Sequence, residues 1–325
     1  MPTSFMGIEI GNTNIKIIEA AKRGAVLEVK KFSLLKTPAD CVHNGVINNI
    51  DVIKKVIQEE LKSKKYRAKK VVAVVQSSTI IIRNVVMDKQ PEKIIKQLLE
   101  VKTEEFLPIE HKQYQIDFKM TGEVEEEGVI KNKLMLVAAP NVVVLPVASL
   151  LKRLKLIPIS ITIPSEALQS IFHSQTRMIY ETTGNVLILD IGGRSTTVTI
   201  ITGDEVCLTR MIEFGAEDLS LPTLDEKRDE YFARVVRPQM EYHIVAEIER
   251  ILQFYYSSYG NGTIKKIYLT GGGSDIKGMR GYIRDALNIP TEKMSYLDSI
   301  VEASGIEFEN YIRFFVNSLG AINGL

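Results

Sequence analysis

An apolar run at residues 187–201, LILDIGGRSTTVTII, is interrupted by one carboxylate. Asp190 ends the run, a glycine pair follows, and hydroxyls then alternate with β-branched residues. That order reads as a strand, a tight turn and a second strand with one buried face. Residues 7–19, GIEIGNTNIKIIE, repeat it. Glu9 falls on Asp190, Gly11 on Gly192 and Asn14 on Ser195, and Ile15 and Ile17 alternate as Val198 and Ile200 do. A single copy is most simply a hairpin with an acid in its turn. Two copies, each opening one half of the chain, predict two related halves facing each other across a cleft.

Such turns suit phosphate. Glycine at positions 11, 192 and 193 lets the backbone come close, and successive N–H groups act with Asn12, Thr13, Asn14, Ser195 and Thr196 as hydrogen-bonding partners for anionic oxygens. Ser195 and Thr196 are the best placed of the hydroxyls to reach them. The carboxylates would repel the same phosphates unless a cation lay between, so Glu9 and Asp190 predict Mg²⁺, held partly through water. A third segment, KKIYLTGGGSDIKGM from residue 265, runs a strand into Gly271, Gly272 and Gly273. A helix is then expected from Ser274 or Asp275, both good N-caps, with Ile276, Met279, Ile283 and Leu287 at helical spacing. A glycine turn at a helix start lets a flat base or a phosphate lie against the backbone.

The elements that must hold these turns fit an ordinary globular chain. Its 325 residues are 45% hydrophobic and 25% charged, enough for two core-bearing units. A net charge of +1 favours neither nucleic acid nor an anionic membrane as the main partner. Cys41 and Cys207 are the only cysteines, and the four histidines have no ligand spacing, so neither a disulfide framework nor a zinc site is suggested. No apolar run approaches the ~18 residues that span a bilayer, and the first residues lack the pattern of a signal peptide. A cytoplasmic protein is expected.

The order of the three motifs resembles the actin-like ATPase superfamily, with its two phosphate motifs and adenosine motif. The segments IPSEALQSIF (163–172) and FFVNSLGAINGL (314–325) look like the connecting helices behind its phosphate loops. The fold implied is α/β: two ribonuclease-H-like halves around a nucleotide cleft. The passage between the motifs narrows the resemblance. VVAVVQSSTIIIRNVVM (71–87) reads as two strands leading to a helix opened by Pro91, with Ile94, Ile95, Leu98, Leu99 and Phe106 on one stripe. FLPIEHKQYQIDFKM (106–120) reads as a loop into a strand, TGEVEEEGVIKN (121–132) as an acidic hairpin connection, and KLMLVAAP (133–140) as a strand followed by a helix. A small α/β insertion at this point, called subdomain 1C, belongs to the FtsA/PilM branch. Within it, RNVVM, FLPIE, YQIDF, LVAAP and EIERILQFY resemble the PilM family of type IV pilus assembly proteins over nearly the whole chain.

The resemblance implies subdomain 1A over 1–78, 1C over 79–156, a return to 1A over 157–183, subdomain 2A over 184–309 and a closing helix over 310–325. It implies ATP or ADP with Mg²⁺ as ligands, and it adds Lys16 and Gly320 to the nucleotide-binding residues. It implies an adaptor that grips the cytoplasmic N-terminal tail of a PilN-like inner-membrane protein near the 1A/1C junction. Other pilus platform and motor proteins are further partners, and the chain would reach the inner face of the membrane through its partner. An FtsA-like filament protein is disfavoured because the chain stops at Leu325 without a membrane-targeting helix. A small-molecule kinase is disfavoured because no substrate-binding insertion or general base is evident. No residue is nominated to position water, so no catalytic base is assigned and turnover is expected to be slow at most.

Three departures from the family stand out. Glu9 replaces the usual Asp. Pro146 lies where the family has uninterrupted helix, which predicts a later helix start. Residues 214–237 are short and charged where subdomain 2B is expected, predicting a reduced 2B. The helix beyond them carries Met240, Ile244, Val245, Ile248, Ile251, Leu252 and Tyr255 on one apolar stripe, a core face.

Overall fold

Both repeated segments fold as antiparallel hairpins at the centre of a sheet. The structure is a computed structural model that describes residues 3–174, 184–203, 205–219, 231–260 and 262–325. In the first hairpin β1 (Ser4–Ile10) pairs with β2 (Asn14–Arg23), and β3 (Val26–Lys36) adds antiparallel to β2. The short pair β4 (Val42–His43) and β5 (Val46–Ile47) and helix α1 (Ile50–Ser63) follow, and then β6 (Lys70–Val74) lies parallel to β1. With β10 (Ile157–Thr162) and β16 (Ile300–Glu302) the sheet order is β10-β6-β1-β2-β3-β16.

The second hairpin is built the same way from β11 (Asn185–Ile191), β12 (Thr196–Thr202) and β13 (Glu205–Ile212), with β14 (Ile264–Thr270) and β15 (Thr291–Lys293) parallel beside β11. Its order is β13-β12-β11-β14-β15. Read from the hairpin outward, β1, β2, β3, β6 and β10 correspond to β11, β12, β13, β14 and β15. The two-fold repeat in the sequence is therefore a repeat of whole sheets. Every residue of β11 is buried, and Ile15, Ile17, Val198 and Ile200 are each at most 1% exposed. That burial fixes the register, because a slip of one residue would turn each apolar set to the wrong face.

Helices cover the sheets. α5 (Pro164–His173) packs on the last helix, α8 (Ile312–Asn323), which lies against β1, β2 and β6. A Cβ on Gly7 of β1 would stand 3.0 Å from the Ser318 carbonyl, so strand and helix backbones approach closely. In the second half α6 (Ala246–Tyr259) follows a helical run with two π-wound turns, Phe232–Val236 and Glu241–Val245. Met240, Ile244, Val245, Ile248, Leu252 and Tyr255 are buried there in one core with Leu187, Leu189 and Ile267. No helix among the described residues is long and apolar enough to cross a membrane.

Contacts divide the chain into one unit of Met1–Ser78 with Ser149–Leu325 and a second of Thr79–Ala148. The second unit has its own sheet, β7 (Ile81–Asp88), β9 (Val129–Pro140) and β8 (Tyr114–Glu126) in the order β7-β9-β8. Its core gathers Ile95 and Leu99 of α2 (Glu92–Val101) with Leu107, just past the short α3 (Thr103–Phe106), and Leu134, Leu136 and Ala138.

The structure corrects three local expectations. The acidic passage 121–132 is mostly strand, since β8 and β9 pair out to Glu126 and Val129 and turn through Glu127 and Gly128, both at positive φ. The helix containing Pro146, α4 (Asn141–Arg153), does not start late. Pro146 denies the Val142 carbonyl its helical donor, but Val142 is 60% exposed, so solvent can serve that oxygen. The helix expected at Ser274 is instead a 3₁₀ turn, Gly272–Asp275, and α7 (Met279–Leu287) begins after Gly278.

Candidate functional site

The hairpin turns are near copies. Gly11 N–H donates to the Asn14 carbonyl and Gly192 N–H to the Ser195 carbonyl, each at 2.9 Å. Each turn is then held from behind by the chain that leaves the third strand of its own repeat. After β3, Thr37 donates its N–H to the Thr13 carbonyl (2.9 Å) and its hydroxyl to the Gly11 carbonyl (2.7 Å). After β13, Ala216 and Glu217 donate N–H groups to the Gly192 and Gly193 carbonyls, at 2.8 and 2.7 Å. The turns meet tip to tip, for a Cβ on Gly193 would lie 2.1 Å from Thr13 Oγ1. The predicted glycine is required there by contact between the halves.

One cleft of about 900 Å³ gathers Glu9, Gly11, Asn12, Thr13, Asn14, Lys16, Asp190, Gly192, Gly193, Ser195, Gly271, Gly272 and Gly273. Three predicted residues are not in its lining. Thr196 is fully buried and donates its hydroxyl to the Phe214 carbonyl at 2.8 Å, because neighbours on a strand point to opposite faces and Ser195 takes the cleft side. Ser274 is fully buried and donates to the Gly271 carbonyl at 2.6 Å, closing the 3₁₀ turn. Gly320 lies in α8, where a Cβ would stand 1.9 Å from the Ala167 carbonyl of α5, so it serves helix–helix packing. Of the segment 214–237 expected to be a reduced 2B, residues 220–230 lie outside the described residues.

The carboxylates differ in their surroundings. Register sets Glu9 directly across from Lys16, and Nζ lies 2.7 Å from Oε1. Burial raises the Glu9 carboxyl above its ordinary value; the Lys16 ammonium opposes this and the Asp190 charge adds to it. Burial also works against the Lys16 ammonium, but Glu9 and then Asp190 outweigh it, and its pKa is raised. Asp190 stands across from Thr197, and its Oδ2 accepts a 2.9 Å bond from the Asn317 amide of α8.

Sequence reasoning missed several residues. Asn317 is an amide set between the apolar residues Val316 and Leu319 of α8, and that setting was its only signal. Gln76, two residues past β6, lines the cleft and donates to Thr197 Oγ1 at 2.5 Å. Its signal was the same as Asp190's: a polar residue closing an apolar strand. Arg194, paired with Glu217 at 3.2 Å, and Phe314, whose ring sits beside Gly272, also line the cleft.

The arrangement fits a phosphorylated ligand. Gly11, Gly192 and Gly193 line the cleft beside Lys16, so backbone without side chains faces the cavity next to a cation. Asp190 fits a water-bridged magnesium ion, which needs no more than one or two carboxylates. Glu9 fits less well. One of its oxygens is committed to Lys16, and the other, Oε2, is enclosed in protein, with the Asn317 side chain acting on the carboxylate. Among the described residues no three His, Cys, Asp or Glu side chains gather as a metal cluster.

Comparison with known proteins gives a family and a fold. The family model for type IV pilus assembly protein PilM matches residues 7–310. A solved structure described as a PilM-PilN type IV pilus biogenesis complex superposes with a TM-score of 0.82 at 20% identity, covering 100% of this chain and 98% of that one. The ethanolamine utilization protein EutJ from Carboxydothermus hydrogenoformans gives 0.56 at 12% identity, over 99% and 89%. A Bacteroides thetaiotaomicron protein described as having an actin-like ATPase fold gives 0.50 at 7%, over 90% and 91%. The fold is that of the actin-like ATPases.

Proposed function

The chain belongs to the PilM family of type IV pilus assembly proteins, and from that premise we propose that it is a nucleotide-binding adaptor of the pilus machine. The observation that carries this reading is the pair of matching glycine turns, each next to a strand-end carboxylate, facing one cleft. The turns would cradle the phosphates of ATP or ADP, with Lys16 and the Ser195 hydroxyl as side-chain contacts and the Gly271–Gly273 turn beside the nucleoside. Magnesium, when bound, would supply charge neutralisation at the phosphates, with Asp190 as its protein anchor. No residue is assigned as a catalytic base, and turnover by the isolated chain is slow at most. The nucleotide acts as a conformational ligand, which shifts an equilibrium only through contacts that differ between open and closed clefts.

Residues 79–156 remain our candidate for subdomain 1C, with the 79–148 unit as its compact part, and the two repeated sheets are our candidates for 1A and 2A. The solved PilM-PilN complex supports a PilN-like partner, bound through its cytoplasmic N-terminal tail. The protein would then work in the cytoplasm and reach the membrane through that partner. Calorimetry with Mg-ATP and Mg-ADP tests the first half, and titration of a synthetic tail peptide tests the second. Binding of neither nucleotide by well-folded protein at millimolar ligand sinks the nucleotide reading. A peptide ignored by the same protein sinks the adaptor reading.

A further inference from the structure

The two phosphate turns are copies in backbone but not in charge. In the first, the residue directly opposite the carboxylate is Lys16; in the second it is Thr197. Only the first hairpin therefore sets a cation directly across from its carboxylate; Arg194, in the second turn, pairs with Glu217 instead. We propose that Glu9 is not a metal ligand but the built-in counter-ion of Lys16, so that this lysine is a fixed cation at the phosphate turns and the divalent ion is left to Asp190 alone. The proposal rests on the nucleotide reading above.

Three observations support it. Lys16 Nζ lies 2.7 Å from Glu9 Oε1, with the side chains only 14% and 7% exposed. A charge-assisted bond of that length in a buried setting is not easily exchanged for a hydrated ion. Next, the second Glu9 oxygen is enclosed by protein. Magnesium keeps several of its waters, and an enclosed oxygen has no room for them. Finally, Asp190 has Thr197 and not a cation directly across from it, so its carboxylate is not committed to a lysine as that of Glu9 is. Lys16 also lines the cleft. Its charge is thus presented to a ligand while being anchored from behind. The metal should then strengthen nucleotide binding without being obligatory for it.

The test is calorimetry of ADP binding in magnesium and in EDTA, with Mn²⁺ in place of magnesium for electron paramagnetic resonance. Wild-type protein is expected to bind ADP in EDTA within about tenfold of its affinity in magnesium, a gap of about 1.4 kcal/mol. Glu9→Gln should weaken binding by a similar factor in both conditions and leave the Mn²⁺ signal of the ADP complex unchanged. Asp190→Asn should remove the difference between the two conditions. Glu9→Gln leaves a buried ammonium unpaired, so the neutral pair Glu9→Gln/Lys16→Met serves as the folding control, and it should bind ADP only when metal is present. If Glu9→Gln alters the Mn²⁺ signal as Asp190→Asn does, Glu9 is a metal ligand and the proposal fails while the nucleotide reading stands. The proposal fails in the same way if wild-type protein binds ADP in magnesium but not in EDTA. Binding in neither condition removes the nucleotide reading, and this proposal with it.

Discussion

Asn317, on the last helix of the chain, donates its amide to Oδ2 of Asp190, at the end of the central strand of the second sheet, at 2.9 Å. The bond joins residues from different halves of the repeat and is buried at both ends. Asn317→Leu strips a buried carboxylate of its donor and should cost about 1–3 kcal/mol, read as a lower urea midpoint. Asn317→Asp should behave differently with pH. Packed beside Asp190, the new carboxyl is held protonated in the folded state, so its folded pKa lies above the unfolded value of about 4. The folded state then binds more protons, and stability falls as pH rises through the raised value. The variant should approach wild type in acid and diverge towards neutrality. Equal midpoints for both variants and wild type at neutral pH would make the bond idle.

Gly320 and Gly193 are expected to separate packing from binding. A Cβ on Gly320 meets the Ala167 carbonyl at 1.9 Å, between two helices behind the sheet. Gly320→Ala should therefore cost about 1–3 kcal/mol of stability and leave the nucleotide affinity of the folded fraction unchanged. A Cβ on Gly193 meets Thr13 Oγ1 at 2.1 Å, where the two turns touch. Gly193→Ala should part the turns and weaken nucleotide binding with a smaller loss of stability. Thermal melts paired with calorimetry read both, and a reversed pattern would return Gly320 to the site.

The repeat was legible because a phosphate-type hairpin asks for glycine, carboxylate and alternating apolar residues at the same offsets in both halves. Glu9, Gly11 and Asn14 align with Asp190, Gly192 and Ser195 in sequence and in their turn-closing bonds alike. What escaped was side-chain direction and long-range pairing. Thr196 could have been excluded by strand alternation once Ser195 was given the cleft side. Ser274 depended on a turn at Gly271, where φ is +77°, that no spacing announces. Asn317 reaches Asp190 across 127 residues, and local pattern carries no trace of such a contact.

Tyr66 should govern part of the response to alkali. Its hydroxyl lies 2.7 Å from Ser33 Oγ, which itself donates to Glu60, and 3.3 Å from the Ile17 carbonyl. Burial pushes the phenol far above its ordinary value, the Ser33 bond opposes the shift, and Glu60 and Glu19 add to it. The folded state keeps this proton after the unfolded chain begins to lose it at about pH 10. Stability contributed by the neutral phenol is thus complete below that pH and is lost progressively above it. Tyr66→Phe should cost about 1 kcal/mol at neutral pH and flatten the decline above pH 10. Urea unfolding across that range checks it, and an unaltered alkaline slope would refute the assignment.

Gln76 and Thr197 form the remaining direct test of how the halves are tied. Val74 of β6 pairs in register with Glu9, and Gln76 follows two residues later. Thr197 stands opposite Asp190 in the other sheet. The 2.5 Å bond between the Gln76 amide and Thr197 Oγ1 therefore links the neighbours of the two carboxylate-bearing strands, the chain just past β6 and the start of β12. Thr197→Val keeps the shape and removes the acceptor, leaving a partly buried amide to find solvent. Because Gln76 is only partly buried, the global cost should stay near 1 kcal/mol, while local opening should rise more. Hydrogen exchange should quicken in the turns at 10–14 and 191–196 and remain slow in β11, whose residues are all buried. Gln76→Ala, which removes the other partner, should quicken the same two turns. Exchange that is unchanged in both turns for both variants would mean that the tip contact of Thr13 with Gly193 holds the halves without help from this bond.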